Sequence, residues 1–366
     1  MTIKAQVHTD HILQNYDVIA AQAAPHTIIA PVVKANAYGL GAVEIVKILE
    51  TKKPLLYYVA TLDEAIALRP HTKADLIVFG GMQVGQEAEF LAHDLIPALK
   101  SAEDMRLWRD AAAAEERPLP CHIHLDTGMN RTGIQACEDS DATALIRGLD
   151  VRCIFSHFVS SEETDNPLNQ AQIDHFVSRA AQYELAFGCP LIKSMANSSG
   201  IFNFAQSHFD LIRPGGGLWG IEMETGQGAG LKPALQLSAK VLQVSEIKSG
   251  QSVGYNELYR ANRTHHVATL ALGYADGLHW PASNQAEIYW QGKPCKIAGS
   301  VSMDLTTVLL PDDLAESERP CPGDCMELIG PNQRIETLAK SCGARAYEMQ
   351  ISFGNAPRVQ RTYLFK

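Results

Sequence analysis

Between residues 28 and 212 the chain alternates short apolar runs with helical patterns, and few folds accommodate that rhythm. The runs at 28–33, 55–60, 76–80, 96–99, 121–125, 151–155, 190–193 and 209–212 read as eight strands. Each but the last is followed by a plausible helix, as at 42–49, 62–68, 87–92, 102–115, 142–149 and 169–187. Regular alternation over about 200 residues predicts a parallel (β/α)8 barrel. An amphipathic helix over 9–22, with Ile12, Leu13, Tyr16, Ile19 and Ala20 on one face, precedes the first of these strands.

The pattern changes after about residue 225. A Gly-, Glu- and Thr-rich stretch at 223–230 reads as a connection, and beyond it strands are predicted at 235–247, 265–272, 286–290, 295–298, 305–310 and 326–329. Helical pattern is scarce until 335–341. The fold class is therefore α/β, with a barrel over 1–225 and a mostly β domain over 226–366.

Charge and cysteine content exclude several functions. The net charge of −10 and the lack of clustered Lys and Arg argue against nucleic-acid binding. No apolar run approaches the roughly 18 residues that cross a bilayer, and the N-terminus lacks an apolar signal core, so a cytoplasmic protein with no membrane partner is expected. Eight cysteines are scattered without CxxC pairs, which suggests neither a disulfide framework nor a metal centre.

Active sites of such barrels lie at the carboxyl ends of the strands. The first strand delivers Lys34, with Tyr38 in its loop; the fifth delivers His124, Asp126 and, past a turn, Arg131. The sixth ends at Ser156-His157. The seventh and eighth run into Asn197-Ser198-Ser199-Gly200 and Arg213-Pro214-Gly215-Gly216-Gly217, small-residue loops suited to a phosphate. Taken singly, each has an ordinary reading: a strand-end lysine reaching solvent, a core histidine, a structural ion pair. Together, a lysine facing a phosphate cradle suggests pyridoxal phosphate held as a Schiff base, with His157 against the ring and Arg213 at its pyridine nitrogen. An arginine can only donate there and would leave that nitrogen unprotonated, which weakens electron withdrawal and favours rapid reprotonation of a carbanion at Cα.

Five ordered motifs sharpen this: Val-Val-Lys-Ala-Asn-Ala-Tyr-Gly (32–39), Asp-Thr-Gly-Met-Asn-Arg-Thr-Gly (126–133), Ala-Asn-Ser-Ser-Gly (196–200), Arg-Pro-Gly (213–215) and Gly-Tyr-Ala-Asp-Gly (273–277). With them the chain resembles the bacterial alanine racemases over nearly its whole length. The resemblance implies a fold-type III pyridoxal phosphate enzyme interconverting L- and D-alanine for peptidoglycan, or a broader serine/alanine racemase, working as a homodimer with shared active sites. It makes Lys34 the Schiff-base lysine and D-face base, and Tyr255 the L-face base supplied across the dimer interface. Met303 and Arg131 become substrate contacts, and Tyr274 an entrance residue. Tyr38, Ser198, Gly215, Gly216 and Tyr347 become phosphate ligands, and His157 and Arg213 keep their ring roles. Three positions depart from the family pattern: His124 replaces a lysine that becomes carbamylated, Ser194 replaces a histidine behind the arginine, and Leu40 replaces a histidine beside the lysine motif.

Overall fold

Eight short strands form one parallel sheet whose interior is packed with aromatic rings rather than left open. In this computed structural model, which describes residues 3–221 and 230–365, β1 spans Ile3–His8, and the barrel strands follow as β2 Ile28–Ile29, β3 Leu56–Val59, β4 Asp75–Val78, β5 Ile96–Leu99, β6 Pro120–His124, β7 Asp150–Phe155, β8 Ile192–Ser194 and β9 Leu211–Ile212. The sheet order is β2-β9-β8-β7-β6-β5-β4-β3, and a parallel bridge from Val32 to Tyr58 joins its two ends, closing the barrel. Inside, Tyr58 stacks on Phe79 at 4.5 Å and His124 on Phe155 at 4.5 Å. The eight strands are those expected; the predicted connection at 223–230 falls outside the described residues except for Gly230.

The second domain is an eight-stranded sheet. Its strands are β10 Leu235–Ile247, β13 His265–Leu270, β14 Glu287–Trp290, β15 Lys293–Lys296, β16 Thr306–Leu309, β17 Cys325–Ile329, β18 Val359–Leu364 and, from the other end of the chain, β1. A separate two-stranded ribbon pairs β11 Ser252–Val253 with β12 Tyr259–Arg260. The sequence reading missed β1, β18 and the helix Ala346–Asn355. Ile3, Ala5 and Val7 point into the core while Lys4 and Gln6 are exposed, and β1 sits between β10, antiparallel, and β18, parallel. The alternation was present, but its two partners lie some 235 and 355 residues away in the chain (Ala239 and Val359 opposite Ile3).

The Lys34 segment is not a plain strand end. Ala35, Asn36, Ala37 and Tyr38 all have φ between 51° and 56°, a single left-handed helical turn of L-residues. That conformation costs roughly 1–2 kcal/mol per residue, so surrounding contacts must hold it. Glu64 Oε1 accepts from Ala35 N at 2.7 Å, Asn36 Oδ1 accepts from Ala42 N at 2.8 Å, and Gln350 Nε2 donates to the Tyr38 carbonyl at 3.1 Å. Gly39 lies against Gly354: a Cβ on Gly39 would stand 2.8 Å from the Gln350 carbonyl oxygen and 2.9 Å from Gly354 Cα. From β18, Arg361 donates to the Gly39 carbonyl and the Tyr363 hydroxyl to the Leu40 carbonyl. The C-terminus of the chain thus braces the lysine turn.

Candidate active site

A cavity of about 470 Å³ opens at the carboxyl ends of the barrel strands, within the size range of small-ligand sites. Lys34, Tyr38, Arg131, His157, Ser198, Arg213, Gly215, Gly216 and Tyr347 all line it, so nine of the twelve residues singled out from sequence converge on one space. Tyr255, Tyr274 and Met303 do not. They are exposed (69%, 47% and 54%) on loops of the second domain.

Arg213 is buried and fixed without a carboxylate. Its Nη1 donates to Ser194 Oγ, and its Nη2 to the carbonyls of Ser156 at 2.6 Å and Met195 at 3.3 Å. The guanidinium lies over the Phe155 ring at 5.0 Å and the Tyr58 ring at 5.9 Å. Ser194 therefore replaces the missing histidine as a direct support. Among the described residues Arg213 Nε donates to no protein acceptor, which leaves that N–H available to a ligand.

A cradle of hydroxyls and glycines is built from four chain segments. Ser198 Oγ accepts from Gly215 N and Gly217 N, each at 3.0 Å, so its own O–H remains a donor. A Cβ on Gly215 would stand 2.5 Å from the Tyr38 hydroxyl, and one on Gly216 would stand 2.2 Å from Tyr347 Cε1. Only glycine lets both tyrosines approach this close. Asn197 caps the helix Ser198–Asn203, accepting from Gly200 N at 2.9 Å and held in turn by Ser161 Oγ at 2.9 Å.

Electrostatics favour a neutral, nucleophilic Lys34. Burial pulls its pKa below the ordinary lysine value, the Arg131 and Arg213 charges pull the same way, and Glu64 opposes them. Phe79 lies 5.9 Å from its Nζ. Burial, with Arg213 and Arg131, pushes His124 down to about 3 and His157 well below its ordinary value, so both imidazoles are neutral. His124 packs inside the barrel against Phe155, and an imidazole cannot carry a stable carbamate. The loop bearing Arg131 is held otherwise: Asp126 Oδ1 accepts from Gly128 N and Met129 N at 2.8 Å, and its Oδ2 accepts from Gln135 at 3.0 Å. Burial raises the Asp126 pKa, but these bonds outweigh it and keep the carboxyl below its usual range.

Sequence reasoning missed Glu64, Phe79, Glu162 and Arg345. Phe79 ends the third predicted strand but is apolar; the other three lie on helices or loops that no motif marks. Arg345 pairs with Glu162 at 3.8 Å on the cavity wall.

A lysine amine, a free guanidinium N–H and a hydroxyl-and-glycine cradle around one cavity form a donor set that fits pyridoxal phosphate. Known proteins agree. A family model for "Alanine racemase, N-terminal domain" matches residues 7–223, and one for "Alanine racemase, C-terminal domain" matches 234–363. The alanine racemase of Acidiphilium cryptum (strain JF-5) is 41% identical over 346 residues, covering 93% of this chain and 94% of that protein. That of Brucella abortus (strain 2308) is 35% identical over 372 residues, covering 96% and 91%. Among solved structures, alanine racemase from Bartonella henselae with covalently bound pyridoxal phosphate has a TM-score of 0.92 at 31% identity and covers 100% of both chains. The enzyme from D-cycloserine-producing Streptomyces lavendulae has a TM-score of 0.93 at 28% identity, covering 100% of this chain and 98% of that one.

Proposed function

The chain belongs to the alanine racemase family, and on that footing we propose that it interconverts L- and D-alanine with pyridoxal phosphate held at Lys34. The observation that carries this is the shared cavity of Lys34, Arg213 and the Ser198–glycine–tyrosine cradle. Ser198, Tyr38, Tyr347 and the backbone at Gly215 and Gly216 would hold the phosphate, His157 would lie against the ring, and Arg213 would donate to its nitrogen. Bound there, the cofactor supplies the electron withdrawal that makes the substrate Cα–H acidic.

Inversion needs proton transfer on opposite faces of Cα. Lys34 Nζ, its pKa already lowered by burial, takes or returns the proton on the D-face. The hydroxyl of Tyr255 of the partner subunit does so on the L-face, in a homodimer with shared sites. Two features support a second copy as the source. Tyr255 lies outside the cavity of its own chain, and Leu258, Tyr274, Trp280, Met303 and Leu305 are exposed with it on neighbouring loops. Trp280 Nε1 bonded to Ser300 and Tyr274 N bonded to Ser302 tie these loops together. Arg131 and the Met303 backbone hold the substrate, and Tyr274 stands at the entrance. The product supplies D-alanine for peptidoglycan in the cytoplasm; no described helix is long and apolar enough to cross a membrane.

Borohydride treatment of the holoprotein tests the first base, and Tyr255→Phe the second. Reduction should fix the cofactor's mass on the Lys34 peptide. Tyr255→Phe should keep the cofactor absorbance and lose racemisation by about 100-fold or more. Cofactor fixed elsewhere, or a fully active Tyr255→Phe, would overturn the two-base reading.

A further inference from the structure

Where β1 passes into the first helix, Thr9–Ala20, the fold gathers His8, Asp10 and His11, a donor set that racemisation does not use. One ligand atom from each lies within 4.8 Å of the other two. His8 is 7% exposed, yet neither its Nδ1 nor its Nε2 has a hydrogen-bond partner among the described residues, and Asp10 Oδ1 is buried and unpartnered too. Native proteins rarely leave such groups unsatisfied. His8 occupies the N-cap position of the helix but its side chain does not cap it.

His11 completes the pattern. Its Nδ1 lies 2.7 Å from the Pro233 carbonyl, which can only accept, so the proton sits on Nδ1. The Nε2 lone pair is then left on the far side of the ring, 4.0 Å from Asp10 Oδ2. Metal-ligating histidines are commonly oriented in this way, one nitrogen donating to a carbonyl and the other facing the ion. The His8 and His11 rings stack at 4.7 Å and 15°, which presents their edges side by side.

We propose that His8, Asp10 and His11 bind one divalent transition-metal ion, with water in a remaining position. Two imidazoles and a carboxylate suit Zn²⁺ or a neighbour in its row, whereas Ca²⁺ and Mg²⁺ favour sites built of oxygen ligands. None of the three residues lines the Lys34 cavity. The ion would instead clamp the chain where it enters the second domain: His8 N donates to the Ala234 carbonyl at 2.8 Å, and Asn15, on the same helix, binds the Leu218 and Lys232 carbonyls. Its role is structural.

Holoprotein freed of metal by chelation and dialysis, then titrated with Zn²⁺ against a chromophoric zinc indicator, tests the site. One equivalent per chain should bind at micromolar concentration and raise the thermal midpoint. His11→Ala should weaken that equivalent at least tenfold and abolish the midpoint shift while keeping wild-type racemisation. Asp10→Asn, which preserves the carboxylate's shape, should do the same and serves if His11→Ala folds poorly. Absence of a stoichiometric equivalent in the wild type, or undiminished binding in a folded variant, would overturn the proposal.

Discussion

Arg179, far from any motif, should control both the stability of the barrel and the position of Arg131. It projects from the helix Pro167–Phe187 and is 2% exposed. Its Nε and Nη2 grip Asp139 at 2.7 and 2.5 Å, while Nη1 donates to the Asp126 carbonyl at 2.6 Å and Nη2 to the Ile134 carbonyl at 3.0 Å. Those carbonyls stand at the two ends of the loop that displays Arg131. Among the described residues, Arg179→Met leaves the buried Asp139 carboxylate with only the Tyr183 hydroxyl, at 2.7 Å, as a side-chain partner. Breaking a buried pair by removing one member costs about 3–5 kcal/mol, a large share of the roughly 5–15 kcal/mol that holds a typical fold. Urea unfolding should register that loss, and hydrogen exchange over 126–134 should accelerate. A misplaced Arg131 should lower kcat/KM by up to about 100-fold. The double variant Arg179→Met/Asp139→Leu removes the stranded charge and should regain much of the stability, since apolar replacements of buried pairs are often well tolerated. Activity should not return with it. A loss below about 1 kcal/mol, or a double variant that restores stability and activity together, would show that Arg179 does not hold the loop.

Gly216→Ala places a methyl against Tyr347 and should weaken pyridoxal phosphate binding by about 1–3 kcal/mol, read by absorbance titration; unchanged affinity would mean the cradle is not there. Glu64→Gln removes the negative charge that raises the Lys34 pKa and releases a bond to Ala35 or Ala60, so Lys34 in the cofactor-free protein should react with an amine reagent at lower pH than in the wild type. His122 and His124 are buried, with pKa values pushed down to about 3 from 6.5. Below about pH 6.5 the unfolded chain binds protons that the folded one refuses, so each should cost about 1.4 kcal/mol of stability per pH unit as pH falls toward 3. Urea midpoints at pH 7 and 5 would show it, and His124→Phe should flatten the slope.

Strand-helix alternation made the barrel legible, because buried parallel strands need apolar runs and their crossovers need helices. Glycine and hydroxyl loops after the last strands, and a lysine ending the first, marked the mouth. Other features were silent because their physical cause lies in distant chain. Nothing near Lys34 announces a left-handed turn; it persists because Glu64, Gln350, Arg361 and Tyr363 hold it. Ser194 looked like a lost support for Arg213, yet its hydroxyl and the carbonyls of Ser156 and Met195 hold the two terminal nitrogens of the guanidinium.

By itself, then, the sequence determined that Lys34, Arg131, His157, Ser198 and Arg213 reach the barrel mouth, since counting the strands places these residues at or just past their carboxyl ends. Tertiary structure decided how they are held: β1 pairs with strands from the far end of the chain, the C-terminal segment clamps the lysine turn, and Tyr255 is carried outside its own cavity. Those outcomes depend on contacts between residues hundreds of positions apart, which local propensity does not encode.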